Sequence, residues 1–114
     1  MVTLANVRQD MIANNLVPFE PTHPGELIRD ELEARKMSQA ALARQIGISP
    51  TLLNEVINSK RAVNTKLALL LEAALGISAE TWLGLQSDYN MQVAKSDKMF
   101  MDKLASIRRI AAVL

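Results

Sequence analysis

Two capping serines, with a glycine between them, set the tightest constraint on what this chain can fold into. Ser38 precedes Gln39–Ile46, where Ala40, Leu42, Ala43 and Ile46 recur at helical spacing. A serine in that place can accept a backbone N–H from the first turn. Gly47 then stops the run, as glycine does where a helix closes on a left-handed residue. Only Ile48 intervenes before Ser49, a second N-cap. Pro50 follows at the first helical position, where its missing N–H costs nothing. The spacing predicts a second short helix from Pro50 to about Asn58, with Leu53, Val56 and Ile57 as its apolar residues.

Two helices joined by so tight a turn form a helix-turn-helix. If Leu53 and Val56 pack inward at i and i+3, then Pro50, Thr51, Asn54 and Glu55 lie on the opposite side. Such side chains can meet base edges in a DNA major groove, asparagine suiting adenine and glutamate accepting from cytosine. The competing reading is an ordinary helical hairpin with a polar face. Charge separates the two. Residues 36–66 carry Lys36, Arg44, Lys60, Arg61 and Lys66 against Glu55 alone, a net of +4, while the whole chain is only +1. Positive charge is thus concentrated where DNA would lie.

Three stretches carry a resemblance to a known family: HPGE at His23–Glu26, LARQIGISPTLLNEVINSKR at Leu42–Arg61, and ALGISAETWLGLQSDY at Ala74–Tyr89. Together they span about residues 22–93. The sequence resembles the phage-repressor-like (XRE) helix-turn-helix family and, more narrowly, its HigA/VapI-type antitoxins. The middle stretch is common to many repressors; its combination with the other two is the specific part. The resemblance implies an all-α fold in which residues 22–95 form a five-helix DNA-binding domain. Residues 1–21 are then an N-terminal extension and residues 96–114 an extra amphipathic helix. It implies a homodimer on a palindromic operator, with Pro50, Thr51, Asn54 and Glu55 reading bases. Gln39, Arg44, Asn58, Lys60, Arg61 and Lys66 would meet phosphates. It also implies repression of the chain's own operon and silencing of a small HigB-like ribonuclease toxin that cleaves messenger RNA. The same DNA chemistry would equally serve a stand-alone repressor without a toxin.

Two departures stand out. The loop after the second helix reads Asn58-Ser59-Lys60 where the family has Asn-Gly-Lys. Serine tolerates positive φ less well than glycine, so either Asn58 takes the strained conformation or the loop follows another path. Residues 1–21 exceed the usual lead-in, and nothing about them carries over. Leu4, Val7, Met11 and Leu16 make a rough helical stripe there, ended by Asn14-Asn15, Pro18 and Pro21. A helix of that length is marginal alone in water. It could fray, pack on the domain, or fold onto a partner protein.

Along the remaining chain, His23, Pro24 and Glu26 suit the start of a helix whose inward stripe is Leu27, Ile28, Leu32 and Met37. Its end carries Arg35 and Lys36. His23 is the only histidine and is expected to cap this helix rather than bind metal. Glu26, Asp30, Glu31 and Glu33 read as a solvated acidic face. Asn64 can cap a helix over Thr65–Leu75, with Ala68, Leu71, Ala74 and Leu75 inward and Leu67 nearby. Leu69 and Leu70 fall off that stripe and suggest a subunit interface. Ser78 can cap Ala79 to about Lys95, where Trp82, Leu85, Tyr89 and Val93 line one side and Leu83 extends it. This surface could be plain core. Alternatively Leu69, Trp82, Leu83 and Tyr89 contribute to a dimer interface, where aromatics are favoured. Gly84 would suit a second helix passing close by. Ser96-Asp97 can open a last helix, Lys98–Leu114, with Phe100, Leu104, Ile107, Ala111 and Leu114 in register and Met101 and Ile110 alongside. It needs a partner surface, which could be its own domain, a second subunit or the toxin, and a second subunit is favoured.

Composition narrows the function classes. With 49% hydrophobic and 22% charged residues the chain is globular. It has no cysteine, which excludes disulfides and thiolate metal sites and suits the cytoplasm. There is no run of 18 apolar residues and no apolar signal core at the N-terminus. One histidine, no cysteine and no glycine-rich phosphate loop leave no nucleophile–base pair. No enzyme, no metal and no cofactor are expected.

Overall fold

The computed structural model describes residues 22–113. The expected N-terminal stripe and Leu114 lie outside them. Six helices follow in order: α1 (Pro24–Arg35), α2 (Gln39–Ile46), α3 (Pro50–Ile57), α4 (Thr65–Leu75), α5 (Ala79–Lys95) and α6 (Lys98–Val113). The fold is all-α, a five-helix helix-turn-helix domain with an extra C-terminal helix.

Most of the boundaries follow from local capping chemistry. Ser38, Ser49, Asn64 and Ser78 each accept a first-turn backbone N–H, at 3.0, 3.0, 2.8 and 3.1 Å. His23 caps α1 through Nδ1, which accepts from the Gly25 N–H at 2.9 Å. Asp97 accepts from the Phe100 N–H at the start of α6, 3.1 Å. Each such cap contributes about 1 kcal/mol. Gly47 and Gly76 close α2 and α4 at φ +77° and +78°. At the end of α1 it is Lys36, at φ 55°, that takes the left-handed conformation. In the loop after α3 the left-handed residue is Ser59, at φ 64°, while Asn58 stays at φ −90°. The loop therefore keeps the path that glycine usually allows, with serine bearing the strain.

Ile28 and Leu32 of α1, Leu42 of α2, Leu53, Val56 and Ile57 of α3, Leu71 of α4 and Trp82 of α5 form the centre of the core. Leu27 and Met37, expected inward, are half-buried against it. A close approach positions α3. A Cβ on Gly25 would run into the backbone carbonyls of Val56 and Ile57. Only glycine there lets α1 begin against the last turn of α3, which is what the HPGE stretch accomplishes. His23 and Pro24 are buried beside it, and the His23 ring meets Tyr89 of α5 edge-on, with centroids 4.8 Å apart. Arg35 donates to the Leu75 carbonyl at 2.6 Å and ties the end of α1 to the end of α4.

Trp82 corrects an expectation. Its ring is 0% exposed within the single chain and its indole N–H donates to the Ile77 carbonyl at 3.0 Å. It is core, with no surface left for a partner. Tyr89 and Leu83 are half-buried and Leu69 is 53% exposed. Nothing approaches Gly84 from elsewhere in the described residues, so the expected close helix is not supplied by this chain. Gln86, also buried, accepts from the Val63 N–H at 2.8 Å and anchors the loop before α4. The last turns of α5 and all of α6 stand apart from this core. α6 packs chiefly on α5 and has no buried residue.

Candidate nucleic-acid interface

α3 is oriented by its apolar side. Leu53 and Val56 are 0% exposed and Ile57 1%. With those positions turned in, Pro50, Thr51, Asn54 and Asn58 are exposed along the opposite face. Gln39 and Ala40, at the start of α2, join Pro50, Thr51 and Asn54 around one shallow, open hollow. The turn of the motif thus brings the first turn of α2 and the outer face of α3 onto one surface, the arrangement a major groove requires.

Hydrogen bonds order this face. The Asn54 amide donates to Gln39 Oε1 at 3.0 Å. Asn58 Nδ2 donates to the Asn54 backbone carbonyl at 3.0 Å and to Asn54 Oδ1 at 3.1 Å. Arg29, one turn into α1, donates to Asn58 Oδ1 at 2.8 Å and reaches the Ile57 carbonyl at 3.5 Å. The sequence reading did not single out Arg29. The available signal was a lone cation set among Glu26, Asp30, Glu31 and Glu33.

Of the other residues expected at DNA, Glu55 differs most from expectation. It is half-buried and held by Arg61, whose Nε and Nη2 lie 2.9 and 2.8 Å from its Oε1. Glu55 and Arg61 therefore present themselves as a pair rather than as a separate base reader and phosphate clamp. An exposed ion pair of this kind is worth at most about 1 kcal/mol, so DNA could exchange it cheaply. Lys60 is exposed in the loop after α3 and Lys66 in the first turn of α4. Arg61 and Lys66 flank one groove with Leu52, Leu67 and Leu70. Arg44 is exposed one turn after Ala40, on the same side of α2.

His23 stands behind this surface. Burial pushes its pKa below the ordinary histidine value, against opposing contributions from nearby Glu26 and a backbone hydrogen bond with Arg61. Neutral imidazole suits the cap, because Nδ1 must stay unprotonated to accept the Gly25 N–H. Among the described residues no cluster of histidines and carboxylates is placed to hold a metal ion.

The fold and the exposed face of α3 define a helix-turn-helix protein of the repressor class, and the helix-turn-helix family model matches residues 28–82. The chain is 36% identical to virulence-associated protein I of Dichelobacter nodosus over 67% of its own length and 71% of that protein's. An addiction-module antidote protein of the HigA family from Coxiella burnetii is 32% identical, covering 75% of this chain and 95% of its own, with a TM-score of 0.67. The Pseudomonas aeruginosa antitoxin HigA, solved with the higBA promoter, is 36% identical over 68% of this chain and 85% of its own, with a TM-score of 0.65. The chain belongs to the HigA/VapI-type antitoxins of the helix-turn-helix family.

Proposed function

We propose that this protein is the antitoxin of a type II toxin–antitoxin pair, binding operator DNA as a homodimer and repressing its own operon. It also neutralises a HigB-like ribonuclease toxin that cleaves messenger RNA. One observation carries the DNA reading: Leu53 and Val56 are sealed inside while Thr51 and Asn54 stand exposed beside Gln39. Two α3 helices, one per half-site, enter successive major grooves about 34–36 Å apart. Pro50, Thr51, Asn54 and Glu55 meet base edges, Glu55 once Arg61 has moved to a phosphate. Gln39, Arg44, Lys60, Arg61 and Lys66 meet the backbone; Asn58, also expected there, instead spends its amide N–H groups on Asn54 and its oxygen on Arg29. The toxin assignment is supported by family membership alone.

Residues 22–95 supply the DNA-binding domain, and the second copy is held by the far end of α5 and by α6. Of eight large apolar residues left exposed among the described residues, seven lie there, among them Met91, Val93, Phe100, Ile107 and Ile110. The protein works without catalysis or cofactor, in the cytoplasm where its operon is transcribed. No helix among the described residues is long and apolar enough to cross a membrane.

The experiment is binding to the DNA upstream of the protein's own reading frame, followed by co-expression with the adjacent reading frame. Salt-dependent, saturable retardation of that DNA over random DNA is expected, along with co-purification of a small ribonuclease. Retardation without a co-purifying partner would leave a stand-alone repressor. No preference for the upstream DNA would remove the operator reading.

A further inference from the structure

The amides on the DNA-facing surface are not free to point either way. A guanidinium only donates, so the atom of Asn58 facing Arg29 must be its oxygen. The contact is Arg29 Nη2 to Asn58 Oδ1, 2.8 Å. That turns Asn58 Nδ2 toward Asn54, where its two N–H groups meet the backbone carbonyl at 3.0 Å and Oδ1 at 3.1 Å. With Oδ1 of Asn54 so engaged, its Nδ2 faces α2 and donates to Gln39 Oε1 at 3.0 Å. Gln39 is then left with its NH2 group as the end of the chain. Four residues from three helices thus share one direction of donation, which starts at a group that cannot accept.

The capacity that remains is the useful part. Asn54 keeps one N–H and one lone pair, because an amide nitrogen carries two donors and an amide oxygen two acceptor sites. One donor and one acceptor, side by side, are what N7 and the N6 amino group of adenine require. Gln39 keeps its donors, the group a phosphate oxygen accepts from. Reversing the chain would set the guanidinium against an NH2 group and the Asn58 oxygen against the Asn54 carbonyl. Donor would then face donor and acceptor face acceptor, so these exposed contacts would lose their hydrogen bonds and repel.

We propose that Arg29 is a positioning residue for operator reading: it fixes the amide direction of Asn58, Asn54 and Gln39, and so sets the base preference of α3. Arg29 itself touches no base. The inference rests on the DNA reading above, in which Asn54 meets a base. Without the guanidinium, Asn58 loses the partner of its outer oxygen and can swing into water. Asn54 then loses the donor that holds its oxygen, and its amide can turn over.

The test uses the full chain and a duplex recovered by the wild-type protein from a random-sequence pool, with each A·T pair replaced in turn by G·C. Asn54→Ala identifies the position that Asn54 reads, as the one whose discrimination disappears. Arg29→Met keeps the length of the side chain and removes its donors. It is expected to reduce discrimination at that same position by about fivefold, the lower end of what a bidentate contact provides, while affinity for random DNA is unchanged. Arg29→Lys, which can only donate, is expected to restore the discrimination. In the free protein, Arg29→Met must also move the side-chain NH2 resonances of Asn54 and Asn58. Wild-type discrimination in Arg29→Met, an equal loss on all sequences, or unmoved NH2 resonances would overturn the proposal. If Asn54→Ala spares discrimination everywhere, the base-reading account fails instead, and the resonances still judge the Arg29 chain.

Discussion

α3 and α6 both carry apolar residues at helical spacing, but among the described residues only α3 finds its cover. Leu53, Val56 and Ile57 are buried, whereas no residue of α6 is, and Ile107 and Ile110 are 51% and 60% exposed. α3 is short and would not persist by itself. It is held by α1, α2 and the core beneath it, and that fixed seat is what allows its outer face to be polar. α6 is twice as long with an apolar stripe lying open. Contiguous exposed apolar surface of this kind marks a surface suited to a partner. One helix is finished by folding; the other, in the function proposed above, by assembly.

Substitutions can break that contrast. The largest effect is expected at Leu53, where Leu53→Ala should cost about 2–5 kcal/mol of stability in chemical denaturation, as for other large-to-small core changes. The same type of change at Ile110, measured at a concentration where the chain is monomeric, should cost no more than about 0.5 kcal/mol. Comparable losses would show that α6 is part of the core after all. Next in size is assembly. Ile107→Asp with Ile110→Asp places two charges on the open stripe and should leave helical content intact while sedimentation reports one chain instead of two. Operator affinity should fall with it. A double variant that remains dimeric would move the interface elsewhere, with exposed Leu69 the first place to look.

The smallest effect concerns His23. Its folded pKa lies below the ordinary value because the ring is buried. The unfolded chain therefore binds the proton first as pH falls. The stabilisation is complete above about pH 6.5 and is lost progressively below it. Melting temperature should decline from about pH 7 to about pH 5. Asparagine also caps helices well, so His23→Asn should flatten that part of the profile. A wild-type decline that persists unchanged in His23→Asn would place the titrating group elsewhere.

The boundaries of the helices were legible because they are local. Ser38, Ser49, Asn64 and Ser78 each act within three residues of themselves, and Gly47 and Gly76 close their own helices. The inward turn of Leu53 and Val56 was legible for the same reason, since periodicity states which side is apolar. Periodicity does not state what covers that side. By its pattern Trp82 suits either an interface or the core, and it is core, while Val93, on the same expected stripe, is 46% exposed because α5 runs on past the domain. Contacts between distant residues were illegible altogether. Nothing local marks Gly25 as the point where α1 meets the carbonyls of α3, or Arg29 as the partner of a residue 29 positions away. The pairing of Glu55 with Arg61 needed the loop path that Ser59 sets.

The orientation of α3 toward DNA is the claim on which the account depends, and chemical-shift mapping tests it directly. On titration with the upstream duplex, the largest changes are expected at Thr51, Asn54 and Lys60 and in the side-chain amide of Gln39. Asp30 and Glu33, on the acidic outer side of α1, should scarcely move. Large shifts confined to α1 or α6, with α3 silent, would contradict it.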